Sequence, residues 1–175
     1  ISARKPSTTP RTSSALSPSE SLKTSGRKSV PKLTSQSLQQ AYAQGKRDFS
    51  GYDLSNLSLS RFEVPEIILH EAQLQNSDLR GADLSGANLG KASLVGVNLR
   101  NATLQEAYLS YADLKEADLR GANLCRAYLS NANLRGANLC GADLTGATLT
   151  ESQLSLAHVN WTTILPNGKR GKGIW

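Results

Sequence analysis

The chain has 175 residues, of which 38% are hydrophobic and 5% aromatic, with two cysteines and no methionine. This length fits one domain or one domain with a tail, two cysteines exclude a disulfide framework, and no apolar run is long enough to span a membrane. Residues 1–47 carry nine basic and one acidic side chain (+8), residues 48–165 carry eight basic and thirteen acidic (−5), and residues 166–175 carry three basic (+3). The net charge of +6 therefore describes the two ends and does not mark the body as a nucleic-acid binder.

The first 36 residues are rich in Ser, Thr, Pro and basic residues. Such a segment cannot bury enough apolar surface to fold, so we predict a disordered linker over residues 1–36. Thr9 and Ser17 each precede a proline and Ser29 follows two basic residues, which makes these three candidate phosphorylation sites. The alternative is an unmodified, solvated spacer. Because the chain begins at Ile1 and lacks methionine, we expect it to be part of a longer protein.

A short helix is predicted over residues 37–45. Ser37 and Gln40 have the spacing of a capping box, and Leu38, Ala41 and Tyr42 form one apolar face. Gly45 is a suitable stop. So short a helix is not stable alone, so residues 37–47 should form a cap on whatever follows.

A five-residue repeat dominates the rest of the chain. Every fifth residue from Leu69 to Leu154 is leucine, and the same register reaches back to Phe49 and forward through Val159 to Ile164. From Leu74 onward a small residue, mostly Ala, stands two places before the leucine, and a residue that is mostly Asp or Asn stands between them, whereas Tyr52, Leu57, Phe62 and Ile67 take the small-residue position in the first coils. An α-helix or a straight strand would scatter this series over several faces. The chain must therefore turn once per pentad and form a solenoid, with the recurrent glycines two places after leucine at its turns.

The unit A-(D/N)-L-x-x, repeated over residues 49–164, resembles the pentapeptide-repeat family. The resemblance implies an all-β fold, a right-handed quadrilateral β-helix with four pentads per coil, here over residues 48–165 and followed by a basic tail at residues 166–175. Residues 40–51 resemble the helical N-terminal cap of cyanobacterial members, and residues 164–168 their closing segment. The 24 pentad centres correspond to six coils, unless Pro65 causes an outward bulge. The alternative is that the bulky residues near Pro65 plug the bottom of the solenoid.

No residue pattern indicates catalysis, a cofactor or a metal. His70 and His158 are isolated, and Cys125 and Cys140 should lie three faces apart and remain free. The glycines at residues 86–93 lack the spacing of a phosphate-binding loop.

Residues 20 apart should stack on one face of the solenoid, and this places several exposed side chains in columns. Candidate interaction residues are Arg80, Arg100 and Arg120, with Cys140 at their end; Tyr108 and Tyr128; and Lys115 and Arg135. The alternative is that these side chains only keep the surface soluble.

The interpretation we favour is a non-catalytic scaffold for protein–protein interaction. The order of linker, cap and solenoid resembles the C-terminal region of cyanobacterial serine/threonine protein kinases, which implies an accessory domain of a cytoplasmic signalling protein. The alternative is a DNA mimic that acts on DNA gyrase, as some acidic family members do. A third possibility is that the basic ends bind anionic surfaces. We expect a protein partner and not a nucleic acid; the oligomeric state stays open, with a monomer favoured.

Overall fold

The computed structural model describes residues 30–171, and in this part of the chain a short helix precedes a four-sided solenoid. Helix α1 comprises Ser35–Ala43 and helix α2 comprises Glu151–Leu154. Between the helices, isolated parallel bridges join the residue before each leucine position to the residue 20 places later, from the Asp48–Ile68 bridge to the Tyr128–Thr148 bridge. One coil therefore contains four pentads. Thr9, Ser17, Ser29 and most of the predicted linker lie outside the described residues.

Every fifth residue from Gly51 to Gly146 has a positive φ and forms a corner of the solenoid. The amide of the next residue donates to the leucine carbonyl three places back, as from Ala102 to Leu99 (3.1 Å). This combination defines a type II turn. Twelve of these twenty corners are occupied by residues other than glycine. The main-chain hydrogen bonds between coils, which we call the ladder, therefore hold the left-handed conformation even where glycine is absent, as from Asn101 N to Arg120 O (2.9 Å). Twenty corners correspond to five regular coils.

Leucines and small residues fill the interior. Leu99, Leu104 and Ala107 have no exposed surface, and each coil is bonded to the next through its main chain, as from Leu99 N to Asp118 O (2.8 Å). Ser77 occupies a small-residue position, and its hydroxyl donates to the carbonyl of Leu74 (2.7 Å). The buried hydroxyl is therefore satisfied without disturbing the core.

Helix α1 covers the lower end of the solenoid, where Leu38 is buried. Its capping box is formed by Thr34 and Ser37, so the predicted box of Ser37 and Gln40 is wrong. Ser37 accepts from Thr34 N (2.9 Å) and donates its own amide to Thr34 Oγ1 (3.1 Å), which starts the helix two residues earlier than predicted. At the other end, Gly45 has φ +95° and forms a Schellman motif with the last turn.

Pro65 does not cause a bulge. It is the first central residue of a corner, a position that suits its fixed φ, and Glu66 follows with φ +59°. The coil above stays in register through the Glu63–Asp83 bridge. Tyr42 of α1 donates its hydroxyl to the Pro65 carbonyl (2.8 Å), so this corner helps to fix the cap helix.

Helix α2 interrupts the solenoid where the sequence predicts a further pentad around Leu154. In regular coils the carbonyl of the small residue accepts a main-chain amide from 21 residues later, as Ala112 does from Asn133 (2.9 Å). In this coil the side-chain amide of Gln153 donates to Ala132 O (2.9 Å) and to Leu129 O (2.7 Å). A side chain thus replaces the main chain, and Leu154 leaves the ladder. Within residues 30–171 neither helix is long and apolar enough to cross a membrane.

The register also shifts near the upper end. Ile164 bridges to Asp143, 21 residues away, because one extra residue lies between Val159 and Thr163. Ile164 therefore occupies a polar position and not the leucine position that the sequence predicts, and Thr163 is the buried small residue. The chain then reverses, and an antiparallel bridge from Ile164 to Arg170 covers the edge of the last coil. The predicted six coils are therefore five regular coils and one irregular coil.

Candidate interaction surface

Arg80, Arg100 and Arg120 stand above one another on one face, and we call them the arginine column. The bridges Asp78–Asn98 and Asn98–Asp118 place their coils in register. All three arginines are exposed. Because each stands at the same place in its pentad, adjacent arginines are offset by one strand spacing, about 4.8 Å.

The outer two arginines are held by carboxylates of their own coils. Arg80 donates from Nε to Asp78 Oδ1 (2.8 Å) and from Nη2 to Asp78 Oδ2 (2.7 Å). Arg120 makes the same two contacts with Asp118. The bonds to the arginine side chains lower the pKa of both aspartates, and the aspartates in turn raise the pKa of both arginines. These are fork-to-fork ion pairs, with a fixed orientation.

Arg100 differs because Asn98 stands where its neighbours have aspartate. Within residues 30–171 the Arg100 side chain has no hydrogen bond or ion pair (its amide nitrogen alone donates, to Asn98 Oδ1 at 3.3 Å). Its charge makes a small contribution to lowering the pKa of Asp118 in the next coil. Below the column, Ser60, Arg61 and Arg80 line a polar hollow of about 340 Å³.

Tyr108 and Tyr128 stack on another face. Their ring centroids are 4.7 Å apart and the rings are inclined by 9°. The two residues are 50% and 41% exposed, so the pair is open at its edge. An ion pair between Arg126 and Glu106 (3.3 Å) occupies the preceding corner of the same two coils.

The third predicted pair is less regular. Lys115 contacts the carboxylate of its neighbour Glu116 (3.4 Å). Arg135 lies one coil above, and within the described range it takes part in no ion pair. The structure therefore separates the seven predicted surface residues into three columns on different faces and does not bring them together.

The residues considered for chemistry stay apart. Cys125 and Cys140 are free, and burial, followed by the neighbouring Asp143, raises the pKa of the Cys125 thiol. In the described part of the chain no three His, Cys, Asp or Glu residues are grouped to hold a metal ion. His70 and His158 belong to different faces and different coils.

Some surface features were not predicted. Lys91 pairs with Glu71 (3.2 Å), like Arg126 with Glu106, across a separation of 20 residues at corner positions. The repeat period could have revealed both pairs if it had been applied to corners. Tyr111 and Trp161 are 63% and 66% exposed, and no sequence signal distinguished them.

Comparisons with known proteins agree with this architecture. The family model described as "Pentapeptide repeats (8 copies)" matches four segments, residues 48–86, 67–105, 82–121 and 122–160, which together span residues 48–160. A solved pentapeptide repeat protein from the thylakoid lumen of Arabidopsis thaliana is 30% identical, with a TM-score of 0.52, over 73% of this chain and 87% of that one. The chain belongs to the pentapeptide repeat family. This membership confirms the predicted right-handed β-helix.

Two other solved structures are similar over most of this chain. Rfr23, a pentapeptide repeat protein of the cyanobacterium Cyanothece 51142, is 30% identical over 74% of this chain and 99% of its own length, with a TM-score of 0.42. QnrB1, a plasmid-mediated fluoroquinolone resistance protein, is 23% identical over 68% of this chain and 62% of its own, with a TM-score of 0.45. A search of curated proteins found no significant match.

Proposed function

We propose that the chain is a non-catalytic scaffold that binds a partner protein through the outer faces of its solenoid, with the arginine column as the main contact surface. The observation that carries the proposal is the column itself. Three long basic side chains are presented at coil spacing on one face, and two of them are already fixed by bidentate ion pairs. Arginines held in this way lose little further side-chain entropy on binding.

Affinity capture with the immobilised chain tests this proposal. We expect a partner protein to be recovered by the wild-type chain and lost when Arg80, Arg100 and Arg120 are replaced by Ala. The double variant Tyr108→Ala/Tyr128→Ala is the control on another face and should retain the partner. Equal recovery of the partner by the wild type, the triple arginine variant and the double tyrosine variant would refute the choice of face. If the wild type recovers no partner, the scaffold function is refuted.

In its parent protein the scaffold serves as a C-terminal accessory domain of a signalling enzyme such as a serine/threonine kinase. The basic Ser/Thr/Pro-rich segment before α1 has the composition of an interdomain linker, which supports this arrangement. The test is the reading frame upstream of Ile1. It should encode a kinase domain, and a frame that encodes no enzyme would contradict the proposal.

The distribution of charge argues against DNA mimicry. Residues 48–165 have thirteen acidic and eight basic side chains, which is −5, and the arginine column interrupts any continuous acidic surface. We therefore expect no inhibition in a DNA gyrase supercoiling assay at micromolar protein. Inhibition at that concentration would favour the mimic over the scaffold.

A further inference from the structure

The three coils of the arginine column share one main-chain arrangement, but the middle coil lacks the carboxylate that the other two have. In each coil a residue of the polar position accepts the amide of the arginine two places later, at 3.2 Å from Arg80 to Asp78, at 3.3 Å from Arg100 to Asn98 and at 3.2 Å from Arg120 to Asp118. The main chain is therefore equivalent in all three. Only the middle coil has an amide in place of a carboxylate.

This substitution leaves one positive charge without a partner. The three coils contain three guanidinium groups and two carboxylates, which gives 3 − 2 = +1. The Nε and Nη2 atoms of Arg80 and Arg120 are bonded to Asp78 and Asp118, whereas the Arg100 side chain has no bond within residues 30–171. Its donors are exposed and stand between two arginines that are already neutralised.

We propose that Arg100 is the docking point for an acidic side chain of the partner protein, which supplies the carboxylate that this coil lacks. The inference rests on the proposed scaffold function and names the chemistry of its partner. An incoming carboxylate would complete a third Arg–carboxylate pair of the kind that the coils below and above already contain, and such bidentate pairs are strong and directional.

Charge balance favours a protein carboxylate over a phosphate. A single carboxylate neutralises the local +1. A phosphomonoester carries about −1.5 to −2 and would exceed that charge while lying close to Asp78 and Asp118. A nucleic acid would place a row of phosphates against the same two aspartates.

A second basic side chain suggests the length of the bound segment. Arg61 is exposed beside the hollow that it shares with Ser60 and Arg80, and no ion pair involves it in the described region. It lies about two coils below Arg100, roughly 10 Å away along the solenoid. An extended strand presents every second residue on the same side, about 7 Å apart, and the long arginine side chains can cover the remaining distance of roughly 3 Å. The partner segment should therefore carry two acidic residues two positions apart.

The substitution Asn98→Asp is the sharpest test because it supplies the missing carboxylate from the chain itself. It should leave the fold intact, since Asp78 and Asp118 occupy the same repeat position. Asn138→Asp is the matched control, because it adds the same charge to the same face beside Cys140, two coils above Asn98. Arg100→Gln removes the proposed contact directly. Unchanged thermal unfolding of the three variants verifies that they are folded.

The probe is a fluorescein-labelled peptide, Gly-Glu-Gly-Glu-Gly, blocked at both ends, titrated in buffer of about 0.15 M ionic strength and followed by fluorescence anisotropy. The same peptide with Gln in place of Glu and an oligothymidylate are the comparison ligands. We expect the Glu peptide to bind the wild type, and Asn98→Asp and Arg100→Gln each to weaken binding about tenfold or more, as loss of one charge-assisted pair requires. Asn138→Asp should change affinity by less than about threefold, since exposed charges a Debye length apart are largely screened.

Each other result overturns the inference. No binding of the Glu peptide, equal binding of the Gln peptide, or wild-type affinity of Asn98→Asp would each exclude a carboxylate at Arg100. An equal loss with Asn138→Asp would indicate general face charge, and oligothymidylate binding that fails in the same two variants would indicate a nucleic acid. If affinity capture still recovers a partner that Asn98→Asp retains, only this inference fails; if the wild type captures nothing, the scaffold function fails.

Discussion

Replacing Leu99 with alanine tests whether the interior leucines hold the coils together. Leu99 has no exposed surface, and Leu79 and Leu119 stand in equivalent positions of the coils below and above. The change removes the equivalent of three buried carbon groups, worth about 0.8 kcal/mol each or about 2.4 kcal/mol in transfer free energy. A cavity cost comes in addition.

The ladder prevents the walls from closing over that cavity. Leu99 N donates to Asp118 O (2.8 Å), and Leu79 N donates to Asn98 O (2.7 Å), so the backbone on this face is fixed at the coil spacing. We therefore expect a total loss in the upper part of the usual range for leucine-to-alanine changes, about 3–5 kcal/mol in the free energy of unfolding.

Guanidinium denaturation followed by far-ultraviolet circular dichroism measures this loss. The matched control is Leu156→Ala, the same chemical change at a side chain that is 53% exposed, and it should cost less than about 1 kcal/mol. A difference of less than about 1 kcal/mol between the two variants would refute the view that stacked leucines in a rigid wall stabilise the solenoid.

Three further predictions concern a corner, the upper end and an ion pair. Gly146→Ala should lower the free energy of unfolding by about 1 kcal/mol, because φ at this corner is +71° and alanine is strained there; the midpoint of denaturation checks this. Gln153→Ala should cost about 1–3 kcal/mol, since it leaves the Ala132 carbonyl without a donor and removes one of the two donors to Leu129 O, which keeps the Ala132 amide. Asp118→Asn should destabilise the protein at neutral pH, and its deficit should shrink as the pH falls below about 4, measured as the denaturation midpoint against pH.

The sign of the last effect follows from the pKa of Asp118, which the bond to Arg120 lowers. A carboxylate with a depressed folded pKa stabilises the folded state above its unfolded pKa and loses that contribution as the pH falls through the folded value. A difference in denaturation midpoint between Asp118→Asn and wild type that stays constant down to low pH would contradict this sign.

For Gln153, the control is Ser152→Ala at an exposed position. An equal loss of stability in Gln153→Ala and Ser152→Ala would contradict the role of the Gln153 side-chain amide.

The repeat period determined most of the fold without any structural information. A leucine every five residues can reach one interior only if the chain turns once per pentad, and the small residue two places earlier follows from the close approach of the walls. The recurrent glycines also predicted the corners, because glycine adopts a positive φ without strain and each corner has a positive φ. The separation of 20 also predicted which arginines and tyrosines stack.

Only the tertiary structure decided where the regular pattern stops. Leu154 and Ile164 continue the sequence period, yet the first lies in α2 and the second in a polar position. The Gln153 side-chain amide takes the place of a main-chain bond in the last coil, and one extra residue before Thr163 shifts the register. The start of α1 is a local matter instead, because the capping box of Thr34 and Ser37 sets it where the sequence offered Ser37 and Gln40 at the same spacing. The sequence places an amide, Asn98, two residues before Arg100 where the neighbouring coils have aspartate. Only the structure shows that no side chain of residues 30–171 makes a hydrogen bond or ion pair with the Arg100 guanidinium.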